Sequence, residues 1–249
     1  MQITKIKKLL YSNNFEFYYF KKVDSTMKLA KKKLNNRNLC ILADEQLHGL
    51  GRRGNKWISK KGNLYLSYLI NYDLSIENHF IYNAAITNSV CELIDSCCNV
   101  TSSIKWPNDI LVNKSKISGI MSELYKKNKQ TFIIIGVGIN IESSPKITNY
   151  STTYTKIFNK HCDRNYIAYK LTEYFINQYK NILSKKYENI ILLYKNKLLN
   201  LGESIKIKED NNKISSFIFE DINIDGSILA NIDGVRKNIY SGRIQSDND

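Results

Sequence analysis

The spacing of hydrophobic and polar residues predicts a helix, a strand and a second helix in the first part of the chain. Met1–Asn13 carries apolar residues three and four positions apart, which places them on one face of a helix. Phe15–Val23 is rich in aromatic and β-branched residues, which favour a strand. Asp24-Ser25-Thr26 then offers side chains that cap a helix N-terminus, and the apolar stripe behind it continues to about Leu34.

The next part of the chain mixes runs of strands with separate long helices. This is typical of an α+β fold, with a mixed β-sheet and flanking helices. In chain order we predict a strand at Leu39–Asp44, a Gly/Arg/Lys loop from His48 to Lys61, a buried strand at Leu64–Ile70, a helix at Asn78–Cys98, strands at Ser103–Trp106, Ile110–Val112, Ile117–Leu124 and Thr131–Ile141, and helices at about Asp163–Leu183 and Glu188–Leu199.

Beyond Gly202 the pattern changes to short alternating strands, separated by turn residues such as Asp210-Asn211-Asn212 and Asp225-Gly226. This predicts a small C-terminal SH3-like β-barrel over residues 201–249, after a larger body over residues 1–200. The predicted strands of the small domain are Ser204–Lys208, Lys213–Phe219, Ser227–Ile232 and Arg236–Tyr240.

The composition adds a strong positive charge, which by itself suggests a nucleic-acid partner. The 249 residues include 37 basic and 23 acidic side chains, a formal net charge of +14, and 43% of them are hydrophobic. Only six of the basic residues are arginine. The positive charge is therefore typical of a lysine-rich compositional bias that is spread over the whole chain. A basic nucleic-acid-binding protein is therefore an alternative and not the main interpretation.

Cysteine and histidine are placed in a way that argues against disulfides and against a metal centre. The five cysteines form no C-x-x-C pair and the three histidines are scattered, so we expect reduced thiols in a cytoplasmic protein. The N-terminus lacks the apolar segment of a signal peptide, and no apolar run is long enough to span a membrane. We therefore expect no membrane partner.

Gly49–Gly54 fits the pattern G-x-G-x-x-G, but its surroundings do not fit a dinucleotide-binding fold. That fold needs a helix after the glycines, whereas lysines and a predicted strand follow here. The glycines would instead let a loop lie close over a bound anion, with Arg52 and Arg53 offering guanidinium groups. A mobile, solvated basic loop is the alternative interpretation.

Lys105–Asp109 ends a predicted strand with an amide and a carboxylate at a tight turn. Pro107 favours extended geometry before the turn, and the Asn-Asp pair favours the turn itself. A hairpin turn after the next short strand would return Lys116 to the side of Asn108 and Asp109. Beside a phosphate-binding loop, Lys116 would be a cation for an anionic transition state, and elsewhere it would be an ordinary solvated lysine.

Ile133–Ile141 is a β-branched strand that contains two glycines, Gly136 and Gly138. Glycine inside a strand marks a bulge, or a close approach by a ligand or by another backbone. Asn140 would then place an amide at the edge of a pocket, able to bind a base or a ring. Ordinary packing of a buried strand is the alternative.

Five motifs, taken in order, resemble those of the biotin protein ligases. No single motif is decisive, but they follow one another in the order and spacing of that family. The resemblance covers essentially the whole chain. The matching segments are Asp24–Thr26, Gln46 with Gly49–Gly54 and Trp57, Lys105–Asp109, Lys116–Ile120 with Glu123, and Gly136–Asn140.

The resemblance implies a two-step acyl transfer that uses ATP and biotin as substrates, with Mg²⁺. Biotin's carboxylate attacks the α-phosphate of ATP and gives biotinyl-5′-AMP and pyrophosphate. A lysine of a biotin carboxyl carrier protein then attacks that anhydride. Two anions must meet in such a site, so the site needs cations and backbone donors. A loop rich in glycine and arginine is suited to cover the water-sensitive intermediate.

By this resemblance, each motif also receives a role. Lys116 and Arg52 would stabilise negative charge as catalytic residues, and Asp109 would help to organise a metal ion or the turn. The residues implied in biotin binding are Ser25, Thr26, Met27, Gln46, Leu50, Gly51, Arg52 and Lys116, and those implied in nucleotide binding are Arg52, Arg53, Trp57, Asn108 and Asn140.

Three positions depart from the family pattern. Met27 stands where asparagine often follows Ser-Thr, Leu50 replaces the usual first arginine of the glycine loop, and Asn55 replaces a further basic residue. None of these changes affects Lys116, so we still expect activity.

The resemblance also implies partners. The expected acceptor is the biotin-carrying subunit of a carboxylase, and a homodimer is expected by analogy. Only about two dozen residues precede Ser25, which is too few for the DNA-binding domain of bifunctional members, so we expect neither repressor function nor a DNA partner. A lipoate or octanoate ligase of the same fold is the nearest alternative activity.

Overall fold

The computed structural model describes residues 2–148, 150–208 and 213–245. No described helix combines the length and the apolar character that a membrane span requires. Short 3-10 turns lie at Arg52–Gly54 and Ile76–Asn78. The helices are α1 (Gln2–Tyr11), α2 (Thr26–Lys32), α3 (His79–Cys98), α4 (Thr155–Phe158), α5 (Arg164–Leu183) and α6 (Tyr187–Lys195). The strands are β1 (Phe15–Val23), β2 (Asn38–Gln46), β3 (Gly49–Leu50), β4 (Lys56–Trp57), β5 (Leu64–Asn71), β6 (Ser103–Lys105), β7 (Asp109–Val112), β8 (Ser115–Lys127), β9 (Gln130–Ile139), β10 (Ser204–Lys208), β11 (Ile214–Ile222), β12 (Ile228–Ile232), β13 (Val235–Ile239) and β14 (Arg243–Ile244).

The helices and longer strands predicted from the sequence are confirmed, with small shifts at their ends. Phe15–Val23 and Ser204–Lys208 form strands with the predicted bounds. Ser25 and Asp163 cap α2 and α5 with their side chains, which is why both helix starts can be read from the sequence. The elements β3, β4, β14 and α4 are missed because two to four residues carry no periodic pattern. The predicted turn at Asp210-Asn211-Asn212 lies outside the described residues.

Seven strands form one mixed sheet in the order β1-β2-β5-β9-β8-β7-β6. β1 and β2 run parallel, and the other neighbours are antiparallel. The large hydrophobic core lies between one face of this sheet and the helices α1, α3 and α5. The short α2 covers only part of the opposite face, over a smaller apolar cluster. The predicted α+β class, with a mixed sheet and flanking helices, is confirmed.

The C-terminal segment forms the predicted small β-domain, but its sheet is open and does not close into the predicted SH3-like barrel. Its five antiparallel strands have the order β13-β12-β11-β10-β14. Within the described residues no pairing joins the edge strands β13 and β14. Closing a barrel needs a continuous ladder between its first and last strands. Because β14 has only two residues, it cannot supply that ladder.

The C-terminal sheet is attached to the body next to the Lys105–Asp109 turn. Trp106 Nε1 donates a hydrogen bond to Gly226 O at 2.9 Å. Lys195 Nζ lies 2.8 Å from an Asp221 carboxylate oxygen. These contacts hold the C-terminal sheet at one end of the open face of the larger sheet, so that both parts contribute to the same cleft.

Candidate functional site

A large cleft opens on the sheet face that α3 and α5 leave uncovered. Its volume is about 1560 Å³, and its walls include the body strands, the glycine loop and part of the C-terminal sheet. Every site residue predicted from the sequence lines this cleft, except Asn140. The tertiary structure therefore brings residues of all five motifs together, and Asn140 lies in a neighbouring cavity.

One end of the cleft has a polar network that begins at the N-terminus of α2. Ser25 Oγ accepts a hydrogen bond from Lys28 N at 3.5 Å and caps the helix. The Thr26 N–H and hydroxyl donate to Gln46 Oε1 at 2.8 and 3.0 Å, and Ser67 Oγ donates to Thr26 Oγ1 at 2.7 Å. Thr26 and Ser67 are buried. Hydrogen-bond donors and acceptors that are shielded from solvent suit a neutral polar ligand.

Ser59 and Ser67 belong to this network, although the sequence alone does not single them out. Gln46 Nε2 donates to Ser59 Oγ at 3.1 Å, which ties the glycine loop to the end of β2. Ser67 reaches Thr26 only because β5 pairs with β2. Isolated serines carry no motif, so a search of the sequence has no reason to select them.

Lys116 lies in the cleft between a carboxylate and two aromatic rings. Its Nζ is 2.7 Å from Asp109 Oδ1, and its side chain is 14% exposed. The same Nζ lies 5.4 Å from the ring centroid of Trp57 and 5.5 Å from that of Tyr150. The predicted position of Lys116 beside Asp109 is confirmed, because β7 and β8 form the expected hairpin. A cation held in this way is pre-organised to meet an anion.

Tyr150 is a site residue that the sequence does not predict. It lies in the segment between β9 and α4 and lines the cleft. Two backbone hydrogen bonds of 2.9 Å join this segment to Lys116. Burial raises the pKa of Tyr150, and the negative charge of Asp109 raises it further. The phenol is therefore neutral at physiological pH and can donate a hydrogen bond.

The glycine loop folds over the cleft and places Arg52 against the Lys105–Asp109 turn. Arg52 Nη1 donates to Asn108 Oδ1 at 3.0 Å, and Asn108 Nδ2 donates to Ile120 O at 2.5 Å. Arg53 has a left-handed backbone with φ of 54°, which turns the chain sharply. The loop then returns through β4, which pairs with β3. A strand and not a helix follows the glycines, as predicted.

Three glycines form a bare floor beneath this loop. A Cβ at Gly138 would lie 2.5 Å from Trp57 Nε1, and a Cβ at Gly119 would lie 2.8 Å from Trp57 Cζ3. A Cβ at Gly136 would lie 2.6 Å from Met27 Sδ. Real Cβ atoms do not come so close to other heavy atoms, so any larger residue would displace Trp57 or Met27. The glycines inside β8 and β9 thus mark a close approach by the side chains of Trp57 and Met27, whereas the sequence predicted for β9 a bulge or an approach by a ligand or another backbone.

Asn140 is buried beside a smaller cavity whose walls include Trp57, Lys116 and Tyr150. Asn140 Nδ2 donates to Thr153 O at 3.1 Å. Asn140 Oδ1 and Trp57 Nε1 are buried and have no hydrogen-bond partner within residues 2–148, 150–208 and 213–245. Unpaired buried polar atoms are rare in native proteins. A polar group bound in this cavity would satisfy both atoms.

Asn63 holds the chain that follows Asn140, and the sequence gives no hint of this role. Its buried Oδ1 accepts hydrogen bonds from the backbone N–H groups of Ile141, Glu142 and Ser143 at 2.8, 2.9 and 3.3 Å. Its Nδ2 donates to Ser143 O at 2.8 Å. One side chain therefore fixes the start of the segment that leads to Tyr150.

The three departures from the family pattern all lie in or next to the cleft. Leu50 packs against the smaller apolar cluster, of which Met27 is a member. The Asn55 carbonyl accepts from Gly51 N at 2.8 Å. Leu50 thus adds to the apolar packing of the cluster that contains Met27, and Asn55 acts on the loop through its backbone.

The described residues contain no group of three or more His, Cys, Asp or Glu side chains that could hold a metal ion. Asp109, the predicted metal residue, is paired with Lys116. Mg²⁺ is usually held by one or two carboxylates together with phosphate oxygens and water. The donor set fits a Mg²⁺ ion that arrives with a nucleotide, and it does not fit an ion held by the protein alone.

Comparison with known proteins gives a consistent set of similarities. The sequence profile of the biotin/lipoate A/B protein ligase family matches residues 19–140. The bifunctional ligase/repressor BirA of Bacillus subtilis is 26% identical over 240 residues, which are 91% of this chain and 73% of that protein. The biotin–[acetyl-CoA-carboxylase] ligase of Mycobacterium tuberculosis is 25% identical over 204 residues, or 78% of this chain and 73% of that protein. The structure of the biotin protein ligase from Aquifex aeolicus in complex with biotin and ATP is similar, with a TM-score of 0.79 and 27% identity, over 92% of this chain and 97% of that chain.

Proposed function

We propose that this chain is an ATP-dependent biotin protein ligase, because the biotin/lipoate A/B protein ligase family model matches residues 19–140 and the similar proteins described above are biotin protein ligases. It activates biotin as biotinyl-5′-AMP with release of pyrophosphate. It then forms an amide bond between biotin and a lysine of a biotin carboxyl carrier protein. The observation that carries the proposal is one continuous cleft, lined by Lys116, Arg52 and the hydrogen-bonded pair Thr26–Gln46.

We assign the ring system of biotin to the polar end of the cleft. Its ureido group is neutral and has both donors and acceptors, so it needs partners of both kinds. Thr26 and Gln46 offer them, with Ser25 at the cap of α2 and Ser67 behind them. Leu50 and Met27 would then supply apolar contact to the sulfur-containing ring.

In the first step, a carboxylate oxygen of biotin attacks the α-phosphorus of ATP. A bond forms between that oxygen and phosphorus, and the bond to the pyrophosphate oxygen breaks. Negative charge collects where the two anions meet. We propose that Lys116 and Arg52 stabilise this charge, and that the 2.7 Å contact with Asp109 keeps Lys116 in position.

In the second step, an acceptor lysine amine attacks the acyl carbon of biotinyl-5′-AMP. The C–N bond forms, the C–O bond to phosphate breaks, AMP leaves with that electron pair, and the amine releases a proton to solvent. The same cation that stabilised the first transition state can stabilise the departing phosphate. The glycine loop over the cleft would keep water from the anhydride between the two steps.

We assign the nucleotide to the part of the cleft next to the small cavity. Among the described residues, Asn140 Oδ1 and Trp57 Nε1 are the buried atoms there without a hydrogen-bond partner, and they can accept from and donate to the edge of a purine base. Arg53 and Asn108 line the adjoining cleft and would contact the phosphates. Mg²⁺ would enter with ATP near Asp109 and neutralise phosphate charge.

Three further features belong to the proposal as expectations. The acceptor is a carboxylase subunit, the enzyme works in the cytoplasm, and two copies associate as a homodimer. We also expect no specific DNA binding, although one relative is named a ligase/repressor. A gel shift that persists at roughly 0.2 M salt would contradict this last expectation, because unspecific phosphate contacts fade steeply with salt.

The direct test offers the purified protein biotin, Mg-ATP and a biotin carboxyl carrier domain, and then probes the carrier with labelled streptavidin. Transfer should require ATP and should leave a carrier whose target lysine is changed to arginine unlabelled. A parallel reaction with lipoic acid measures the alternative activity. No ATP-dependent transfer from folded protein to a competent carrier would overturn the proposal.

A further inference from the structure

The outward face of the C-terminal sheet carries three cations side by side. On β10, Ile205 and Ile207 are buried beneath the sheet, so the alternate residues Lys206 and Lys208 point outward. Lys208 is paired with Arg243 of β14, and paired residues point to the same face. Lys206, Lys208 and Arg243 are all exposed. We call this surface, together with the two isoleucines described next, the cationic face.

Two exposed isoleucines lie on the same surface. Ile214 pairs with Lys208, and Ile218 pairs with Ser204, so both side chains point outward. Their exposed fractions are 54% for Ile214 and 44% for Ile218. Apolar side chains at the centre of a polar, charged surface are typical of a protein contact site.

The cationic face is continuous with the proposed active site. Lys206 and Arg243 line the same cleft as Lys116. Burial raises the pKa of Tyr150, and the positive charge of Arg243 opposes that rise, so Arg243 lies near the ring that covers Lys116. A macromolecule bound on this face could therefore reach the reacting atoms.

The cations of this face are not neutralised by their acidic neighbours. Glu220 is 2.7 Å from Arg236, and Asp221 is 2.8 Å from Lys195, so both carboxylates are already engaged. Within the described residues no ion pair includes Lys206, Lys208 or Arg243. Counted over its described residues, the face therefore carries a net positive charge.

The cleft is also larger than a typical pocket for one small molecule. Pockets for small molecules and cofactors hold about 300 to 1000 Å³, whereas this cleft has about 1560 Å³. Residues of the C-terminal sheet, among them Lys206 and Arg243, form part of its wall.

We propose that the cationic face docks the acceptor protein through an acidic surface next to its target lysine. The proposal rests on the proposed ligase function and adds the place and the chemistry of acceptor recognition. A polyphosphate chain would use the cations but not the two isoleucines, so the observations favour a protein. The charge would chiefly speed the encounter, and the isoleucines would add contact area.

The test compares the double variant Lys206→Glu/Lys208→Glu with the unchanged protein in three assays. The first assay measures pyrophosphate release in the first turnover without acceptor. The second measures hydroxamate formation when hydroxylamine replaces the acceptor. The third measures biotin transfer to a carrier domain over a range of carrier concentrations. We expect the KM for the carrier to rise by about tenfold or more, and the first two rates to change by less than about twofold.

A charge-matched control separates docking from overall charge. Lys127→Glu/Lys237→Glu makes the same change of four charge units at the far end of β8 and on β13. Both lysines are exposed and lie outside the cleft. The control should keep the KM for the carrier. An unchanged KM in Lys206→Glu/Lys208→Glu, or an equal rise in the control, would overturn the proposal.

Two further results would also decide against it. A raised KM for ATP in the first assay would mean that Lys206 and Lys208 contact phosphates and not the acceptor. If the KM for the carrier does not rise with salt in the unchanged protein, the proposed electrostatic contact is contradicted. Loss of all three activities in the unchanged protein would instead refute the ligase function, so the two failures are distinguishable.

Ile214→Ser/Ile218→Ser should raise the carrier KM by about three- to tenfold without affecting the hydroxylamine reaction.

Discussion

The two faces of the seven-stranded sheet differ most clearly along β9. Ile133, Ile135 and Val137 point to one face and belong to the large core under the helices. The alternate residues begin as Phe132 and Ile134 in the smaller cluster under α2, and continue as Gly136 and Gly138. One strand thus fills one face completely and leaves the other face bare where the cleft begins.

The two faces contribute differently to the protein: one to its stability and the other to its binding site. On the helix-covered face, stability comes from burying large side chains at high packing density. On the open face, the absence of side chains creates the space into which Trp57 and Lys116 fit. Changes on the first face should therefore alter the free energy of unfolding, and changes on the second should alter ligand binding and rate.

The largest expected effect is on the covered face. Ile135→Ala should lower the free energy of unfolding by about 2 to 5 kcal/mol, because Ile135 is fully buried and a cavity would remain. Chemical denaturation measures this loss. The rate of biotin transfer per folded molecule should change little. A large fall in that rate at low temperature would contradict the conclusion that the covered face affects stability and not activity.

The second-largest effect is expected on the open face, at Lys116. Lys116→Ala should slow adenylate formation by about 30- to 1000-fold, because one pre-organised charge contact, worth about 2 to 4 kcal/mol, is lost. Single-turnover pyrophosphate release measures it. Lys127→Ala at the other end of β8 is the control and should be neutral. Near-normal adenylation by Lys116→Ala would remove Lys116 from its assigned role.

A smaller effect is expected on the bare floor itself. Gly138→Ala should weaken catalysis by about 10- to 100-fold, because the new methyl group displaces Trp57 from the nucleotide side of the cleft. The KM for ATP should rise while the melting temperature stays nearly constant. If the variant instead loses stability as Ile135→Ala does, Gly138 serves packing and not ligand binding.

The smallest effect is expected at the edge of the open face. Ser25→Ala removes a long cap hydrogen bond of 3.5 Å, so it should lower stability by only about 0.5 kcal/mol. It should also weaken biotin binding by about fivefold if Ser25 contacts the ligand. Calorimetric titration with biotin measures the second effect. Ser25→Asp restores a cap without the hydroxyl donor, so recovery of biotin affinity in that variant would argue against the contact.

Much of the fold could be predicted because local sequence and tertiary structure agree. The caps Ser25 and Asp163 and the alternation along β9 are visible without any structure. The predicted barrel is wrong because closure depends on pairing between strands that are distant in the sequence. In addition, β14 has only two residues, which is too short for a periodic pattern that predicts a strand. Pairing is a non-local property, and the residues of one strand say little about it.

The candidate site was predictable only where chemistry is concentrated in a motif. Lys116 and Asp109 could be placed together because a hairpin joins them within eight residues of the chain. Ser67, Asn63 and Tyr150 could not, since each is a single common residue without a local pattern. Their roles depend on contacts across tens of residues, such as Asn63 with Ser143.

The amino-acid sequence alone is enough to predict the longer helices and strands in order, the glycines of the floor and the residues of the five motifs. These properties are local, because side-chain size, capping and periodicity act within a few residues. The sequence does not reveal that one sheet face is sealed and the other is open, or that the C-terminal sheet completes the cleft. Those properties depend on which distant surfaces pack together, and that is settled by the burial of the whole apolar surface and not by any single segment.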